Sequence, residues 1–192
     1  MKRAVFLDRD GVINRKAAEG AYVTRWEDFH FLPGVAEAIS LLDRAGWSVI
    51  VISNQRCVAK GLLTIAELEA IHQKMLEELA RSGAKLDAIY YCPHDKEPPC
   101  SCRKPSHGML LTAAQEHQID LSSSWIVGDS ESDIEAGRRA GCSTVRIIAD
   151  LPAESESAGC FARSLLEASE RVLTATDKIP LERSGPDSSL RR

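Results

Sequence analysis

The sequence of 192 residues lacks a long apolar run, a basic region and an internal repeat. No stretch approaches the roughly eighteen consecutive apolar residues that a membrane-spanning helix requires, so we expect no membrane partner. The formal net charge of −4 offers no broad positive field, which argues against nucleic acid as the main partner. The amino terminus enters an apolar run without a signal-peptide pattern, so we expect a cytoplasmic protein.

Length and composition set the expected domain organisation. With 192 residues and 44% hydrophobic content, the chain can bury one core and is short for two. We therefore expect one domain over residues 1–174, acting as a monomer. Residues 175–192 are polar and contain Pro180 and the pair Gly185-Pro186, a composition that predicts a disordered tail.

Two carboxylates interrupt the first apolar run, residues 4–13. The run predicts a strand buried on both faces, so Asp8 and Asp10 lie where that strand leaves the sheet and Gly11 breaks it. Ligands of open parallel sheets bind at the carboxyl ends of strands, and two acids there repel each other unless a cation is present. Mg²⁺ would let one carboxylate approach a phosphate while the other donates a proton to the leaving oxygen. The alternative is a solvated acidic turn.

A second predicted strand, residues 47–52, also ends in polar side chains. Ser53, Asn54 and Gln55 follow it directly and bring a hydroxyl and two amides to the same edge of the sheet. These residues either belong to the site of the two acids or form an ordinary turn.

A further predicted strand, residues 124–127, is followed by Gly128 and Asp129. Asp129 therefore leaves its strand where a metal ligand is needed. Asp133 lies four residues later, on the same side of the helix that begins there. Acidic residues in a first helical turn are also ordinary partners of the helix dipole.

The remaining elements follow from apolar periodicity. We predict helices at residues 35–45, 65–81, 109–115 and 164–173, and strands at residues 86–91 and 143–149. Thr64 and Glu67 form a capping box for the second helix. Its predicted buried stripe consists of Ile65, Leu68, Ile71, Met75 and Leu79. The aromatic residues of the segment 15–32 are expected to pack over the end of the first strand.

Three cysteines and a histidine crowd into the segment 92–102. Cys92, His94, Cys100 and Cys102 supply three sulfur ligands and one imidazole, which match a closed tetrahedral Zn²⁺ site. Four protein ligands indicate a structural ion. The alternatives are reduced thiols in a proline-rich loop, or replacement of one ligand by Asp95 or His107.

Two cations follow the last of these cysteines in the run Arg103-Lys104-Pro105. If the segment 92–102 folds around zinc as a zinc loop, this folding would also position Arg103 and Lys104. They otherwise form a solvated basic pair.

These motifs together resemble those of the haloacid dehalogenase (HAD) superfamily of phosphotransferases. The resemblance rests on Asp8-Arg9-Asp10-Gly11-Val12, Ser53-Asn54, Arg103-Lys104-Pro105 and Gly128-Asp129 with Asp133, in this order over roughly residues 4–150. The cysteine and histidine cluster makes the chain similar to one branch, the heptose bisphosphate phosphatases and histidinol-phosphate phosphatases. The resemblance implies an α/β, three-layer, Rossmann-like fold with a central parallel sheet and a zinc-binding loop. Ordinary elements fill the intervals that could hold a cap, so we expect no large cap domain and an open site.

The resemblance also implies roles for individual residues. Asp8 would attack phosphorus, with Asp10 as general acid and then general base. Ser53 and Lys104 would stabilise the transferring phosphoryl group. Mg²⁺ would be held by Asp8, the main-chain carbonyl of Asp10 and Asp129, with Asp133 beside these ligands. The residues expected to contact the rest of the substrate are Gly20, Ala21, Tyr22, Asn54, Gln55, Arg56 and Arg103.

Two positions depart from the pattern of the heptose phosphatases. Arg56-Cys57 stands where a small residue and glycine are usual, and Ser130 stands where lysine is common. Both changes concern the substrate more than the chemistry. We therefore expect a phosphatase that acts on a small sugar bisphosphate, foremost D-glycero-D-manno-heptose 1,7-bisphosphate with loss of its 7-phosphate. Histidinol phosphate, a polynucleotide end and a non-catalytic binding role are the alternatives.

Overall fold

Six parallel strands form one sheet in the computed structural model, in the order β3-β2-β1-β4-β5-β6. The structure describes residues 1–149 and 161–177. The strands are β1 (Ala4–Leu7), β2 (Ser48–Asn54), β3 (Ala88–Cys92), β4 (Trp125–Gly128), β5 (Ser143–Ile147) and β6 (Phe161–Ala162). The order reverses beside β1, so the crevice at its carboxyl end is the position where open parallel sheets bind ligands.

Helices cover both faces of this sheet. They are α1 (Val35–Arg44), α2 (Arg56–Ala59), α3 (Ile65–Arg81), α4 (Gly108–His117), α5 (Glu131–Ala140) and α6 (Leu165–Asp177). Buried residues of α1, α3 and α6 share one apolar cluster with Val5 and Leu7, whereas those of α4 and α5 share a second cluster with Ala4 and Phe6. Successive residues of a strand point to opposite faces, so β1 contributes to both clusters. The three-layer α/β fold with a central parallel sheet is confirmed.

The capping box at the start of α3 is also confirmed. The Thr64 hydroxyl accepts from the main-chain N–H of Glu67 at 3.2 Å, and the Glu67 carboxylate accepts from the N–H of Thr64 at 2.7 Å. The prediction that Ile65 belongs to the buried stripe is wrong, because this first helical residue is 49% exposed. His72 lies on the buried face instead, four residues after Leu68.

The ends of several elements differ from the predicted ones. The short helix α2 directly after β2 was not predicted, and β5 ends at Ile147 rather than at residue 149. Helix α6 continues to Asp177, so the first three residues of the predicted tail are helical. The rest of that tail, residues 178–192, lies outside the described residues.

The aromatic residues before α1 pack as predicted. The rings of Trp26 and Phe29 stack with centroids 5.0 Å apart, and Phe31 meets Phe29 edge to face at 5.1 Å. Between the strands of the described chain there is no inserted domain that could act as a cap. Among the described residues, no helix combines the length and apolar character needed to cross a membrane.

Candidate active site

The register of the sheet brings the predicted strand-end residues together. Leu7 pairs with Val51 on one side and with Val127 on the other. The next residue, Asp8, continues this pattern, because its main-chain N–H donates to the carbonyl of Val127 at 2.9 Å. Ser53 and Asp129 therefore leave the sheet at the same edge as Asp8.

Lys104 joins two of the carboxylates at this edge. Its ammonium lies 2.6 Å from Asp8 Oδ1 and 2.6 Å from Asp133 Oδ1, and its side chain is only 2% exposed. It also donates to the carbonyl of Ile52 at 2.7 Å, which ties it to the end of β2. Burial opposes the charge of Lys104, but the carboxylates of Asp8 and Asp133 outweigh this effect and raise its pKa. Lys104 is therefore a fixed cation at the carboxyl end of β1.

The carboxyl group of Asp8 is poised between two opposing influences. Burial, together with the nearby carboxylates of Asp133 and Asp10, raises its pKa to about 7, although Lys104 acts in the opposite direction. A carboxylate crowded in this way gains from any further cation brought to the site.

Helix α5 holds Asp133 in place at its first turn. Asp133 Oδ2 accepts from the hydroxyl of Ser130 at 2.6 Å and from its main-chain N–H at 3.1 Å, which completes a capping box. The end of β4 lies so close to Asp133 that a Cβ added at Gly128 would be only 2.2 Å from the Cβ of Asp133. Glycine is required there. Both oxygens of Asp133 are therefore engaged by protein groups.

The acids of this edge form a cluster that fits Mg²⁺. One carboxylate oxygen from each of Asp8, Asp129 and Asp133 lies within 4.8 Å of the others. An octahedral Mg²⁺ with bonds of about 2.0–2.1 Å holds its ligand oxygens about 3–4 Å apart. Because both oxygens of Asp133 already bind protein groups, Asp8 and Asp129 are better placed than Asp133 to bind Mg²⁺. Gly11 permits the close approach of Asp129, since a Cβ there would meet Asp129 Oδ2 at 2.4 Å.

Asp129 also has a cationic partner that the sequence did not reveal. The ammonium of Lys16 lies 2.6 Å from Asp129 Oδ2, with the lysine side chain 59% exposed. Lys16 belongs to the segment before α1, and no pattern around it pointed to the site. The contact joins that segment to the end of β4.

The carboxylate of Asp10 is surrounded by donors. Arg9 donates to both of its oxygens at 2.9–3.2 Å, Asn14 Nδ2 donates to Oδ1 at 2.9 Å, and Gln55 Nε2 donates to Oδ2 at 2.9 Å. Burial would raise its pKa, but the charge of Arg9 and these hydrogen bonds hold it below the usual value. Arg9 and Asn14 were not among the predicted site residues, although each stands within four residues of Asp10.

The three residues after the second strand differ in their contacts. Ser53 is buried, and its hydroxyl accepts from Gln55 Nε2 at 2.6 Å. Gln55 thus bridges Ser53 and Asp10. The side-chain amide of Asn54 instead binds the main chain of Lys104, with both hydrogen bonds at 3.0 Å. The amides predicted to contact substrate therefore position catalytic candidates in this structure.

The cysteine and histidine cluster has the geometry of a tetrahedral metal site. The sulfur atoms of Cys92, Cys100 and Cys102 lie 3.3–3.6 Å apart, and His94 Nδ1 lies 3.2 Å from Cys102 Sγ and 3.6 Å from Cys92 Sγ. Zinc–sulfur bonds of about 2.3 Å place tetrahedral sulfur ligands about 3.8 Å apart, so the four residues fit Zn²⁺ after a small expansion. All three cysteines are free.

The remaining residues predicted to contact substrate have partners outside the cluster of acids. Arg56 pairs with Asp95 of the zinc loop at 2.5 Å, and Arg103 donates to the carbonyl of His94 at 3.3 Å. The ammonium of Lys60 lies 5.1 Å from the centre of the Tyr22 ring. The two residues before Tyr22, Gly20 and Ala21, are exposed.

Comparisons with known proteins extend over most of the chain. The family model described as HAD-hydrolase-like matches residues 101–150. The D-glycero-beta-D-manno-heptose-1,7-bisphosphate 7-phosphatase of Pseudomonas putida is 41% identical over 145 residues, which are 76% of this chain and 82% of that protein. The enzyme of the same name from Rhodopseudomonas palustris is 38% identical over 176 residues, 88% and 93% of the two chains. The crystal structure of D,D-heptose 1,7-bisphosphate phosphatase from B. bronchiseptica, complexed with magnesium and phosphate, is similar with a TM-score of 0.79 at 36% identity. The matched region covers 91% of this chain and 99% of the B. bronchiseptica chain.

Proposed function

This chain belongs to the D-glycero-D-manno-heptose-1,7-bisphosphate 7-phosphatase family of HAD-like phosphatases, and on that premise we propose that it removes the 7-phosphate of a heptose 1,7-bisphosphate. The observation that carries the proposal is the contact of Lys104 with both Asp8 and Asp133 beside the carboxylate of Asp129. This arrangement places a carboxylate nucleophile, a fixed cation and a set of oxygen ligands at one strand end.

In the first step, a carboxylate oxygen of Asp8 attacks phosphorus and the ester bond to the sugar oxygen breaks. Without substrate, Asp10 is a carboxylate with a lowered pKa. A bound phosphate ester brings negative charge beside Asp10, which raises its pKa so that it takes up a proton, and Asp10 gives this proton to the leaving oxygen. In the second step, water attacks the aspartyl phosphate and Asp10 takes up a proton from it, which releases inorganic phosphate and restores Asp8. Asp10 lies two residues after Asp8 and is hydrogen-bonded to Gln55, which directly follows strand β2, and this position supports the two roles.

Negative charge on the transferring phosphoryl group has to be balanced in the transition state. Lys104 is suited to this role, since its buried ammonium already lies 2.6 Å from the attacking carboxylate. The hydroxyl of Ser53 supplies a second donor. When bound by Asp8, the carbonyl of Asp10 and Asp129, Mg²⁺ supplies further positive charge to the phosphate oxygens. Asp133 orients Lys104.

We assign contact with the sugar and its second phosphate to Arg103, Arg56 and the segment 20–22. Arg103 directly follows the zinc loop, Arg56 begins helix α2 and pairs with Asp95 of that loop, and the segment 20–22 precedes α1. Four protein ligands leave zinc no open position, so we assign it to folding of the loop that carries Arg103 and Lys104. The cytoplasmic location, the monomeric state and the absence of a nucleic-acid partner stay predictions of the sequence.

The test is phosphate release from a panel of esters by the purified protein with Mg²⁺. The panel contains both anomers of heptose 1,7-bisphosphate, histidinol phosphate and a 3′-phosphorylated oligonucleotide. We expect kcat/KM for one heptose anomer to exceed that for every other compound by at least about tenfold. Faster hydrolysis of histidinol phosphate would move the chain to that substrate, and no hydrolysis of any ester would refute a phosphatase.

A further inference from the structure

A fully buried arginine lies beside the proposed acid and base. The side chain of Arg9 is 0% exposed, and its Nη2 and Nε donate to both oxygens of Asp10 at 2.9–3.2 Å. A buried guanidinium is costly unless its other N–H groups also have partners. Its remaining contacts are therefore informative.

The second partner of Arg9 is a histidine on helix α3. Arg9 Nη1 lies 3.1 Å from Nε2 of His72, which is only 5% exposed. A guanidinium has donors and no acceptor, so Nε2 has to accept and the imidazole is neutral. Burial and the charge of Arg9 agree with this form, because both lower the pKa of His72, to about 3. The guanidinium carbon lies over the ring of Phe29, 5.9 Å from its centre.

We infer that His72 and Arg9 form a positioning pair, in which His72 fixes the guanidinium and the guanidinium fixes the direction of the Asp10 carboxyl group toward the leaving oxygen. The inference rests on the proposed role of Asp10. His72 lies on the core face of α3, beside the ring of Tyr91 at 5.5 Å, and contacts none of the acids itself. Its influence on the reaction passes through Arg9.

A purely structural role for the pair would lower stability without changing the kind of ester that is hydrolysed. A positioning role would affect the step that needs a proton donor. Phosphoryl transfer from p-nitrophenyl phosphate releases an anion that is stable without protonation, whereas a sugar alkoxide requires the acid. The value of kcat/KM reports the steps up to release of the leaving group, so it separates proton donation from the later hydrolysis of the intermediate.

The experiment measures kcat/KM of His72→Met and His72→Gln with heptose 1,7-bisphosphate and with p-nitrophenyl phosphate. Methionine fills the space of His72 on the core face but offers Arg9 no strong hydrogen-bond acceptor. Glutamine does offer one, because its amide oxygen can accept from Arg9. We expect His72→Met to lose about 10- to 100-fold with the sugar ester, as for a misplaced catalytic group, and less than about threefold with the aryl ester. His72→Gln should recover most of the loss.

Equal losses of His72→Met on both esters, or no loss on either, would overturn the inference. If His72→Met does not fold, Arg9→Lys decides, since one ammonium cannot span both partners and the same ester-selective loss is expected. Ser169→Ala, which removes a buried hydrogen bond in α6, controls for general destabilisation and should change both esters alike. Asp10→Asn is measured in parallel. An ester-selective loss in Asp10→Asn alone refutes the positioning pair, whereas its absence in Asp10→Asn refutes the proposed role of Asp10.

Discussion

The side-chain amide of Asn54 binds both main-chain polar groups of Lys104, donating to the carbonyl and accepting from the N–H at 3.0 Å each. This double hydrogen bond connects the end of β2 with the segment that follows the zinc loop. It fixes the backbone from which Lys104 extends toward Asp8. Lys104 is thus placed by two distant parts of the chain.

Asn54→Ala should therefore weaken catalysis through Lys104. Loss of two hydrogen bonds to a partly buried segment should lower the free energy of unfolding by about 1–3 kcal/mol. Displacement of the cation should lower kcat about tenfold or more. Urea denaturation and steady-state kinetics measure the two effects. Gln73→Ala removes an exposed amide that bonds Glu77 on α3, and this control should leave both values unchanged.

The elevated pKa of Asp8 predicts an unusual pH dependence of stability in protein free of Mg²⁺. Between the usual value of 3.8 and about 7, the folded protein holds a proton on Asp8 that the unfolded chain has lost. The free energy of unfolding should therefore fall as the pH rises through this range. Asp8→Asn should abolish turnover and remove this part of the slope, on the order of 1–4 kcal/mol. Chemical denaturation at pH 5.5–8 in Mg²⁺-free buffer without a chelator, so that zinc is kept, compares the slopes of the two proteins. Identical slopes would show that the pKa of Asp8 is not raised.

Removal of Mg²⁺ should abolish activity, and its return should restore it. Ca²⁺ should inhibit, because its looser coordination does not preserve the in-line geometry. Full activity in metal-free buffer would contradict the proposed site.

Lys16 should compete with Mg²⁺ for Asp129, since its ammonium lies 2.6 Å from that carboxylate. The contact is exposed and weak, so Lys16→Met should bind Mg²⁺ about two- to fivefold more tightly. Isothermal titration measures this difference, with Lys16→Arg as the variant that keeps the charge. Unchanged or weaker binding in Lys16→Met would show that the contact does not oppose the metal.

Zinc should stabilise the fold and take no direct part in bond breaking. Elemental analysis should find one zinc per chain, and Cys100→Ser should lower the melting temperature and the activity together. Zinc should also be lost at low pH, because protons compete for the thiolates. Cys142→Ala, outside the cluster, should keep the zinc. If a strong zinc chelator changes neither the melting temperature nor the rate of phosphate release, the structural role of zinc is refuted.

The sequence predicted those parts of the site that depend on local pattern. Asp8 and Asp129 each follow a short apolar run, and parallel strands necessarily bring such ends to one edge. The three-layer fold follows from the same alternation of strands and helices. The burial of His72 could also have been predicted, because apolar residues lie four positions before it and three positions after it on the same face of α3.

Contacts between distant loops could not be predicted in this way. The bonds of Asn54 to Lys104 span fifty residues, and that of Lys16 to Asp129 spans more than one hundred. No periodicity records such pairings. Ile65 was assigned to the core because it continues the apolar spacing of α3, yet the first turn of the helix is exposed to solvent.

Covalent catalysis by Asp8 can be tested by chemical trapping of the aspartyl-phosphate intermediate. Enzyme mixed with heptose 1,7-bisphosphate and Mg²⁺ is quenched in acid, reduced with borohydride and digested for mass spectrometry. The reduced residue should be found at Asp8 in wild-type protein. With p-nitrophenyl phosphate, whose leaving group needs no acid, Asp10→Asn should trap a greater amount, because only hydrolysis of the intermediate is then slowed. Asp8→Asn should show no label and no turnover. A label on another residue, or near-normal kcat in Asp8→Asn, would contradict the assignment of the nucleophile.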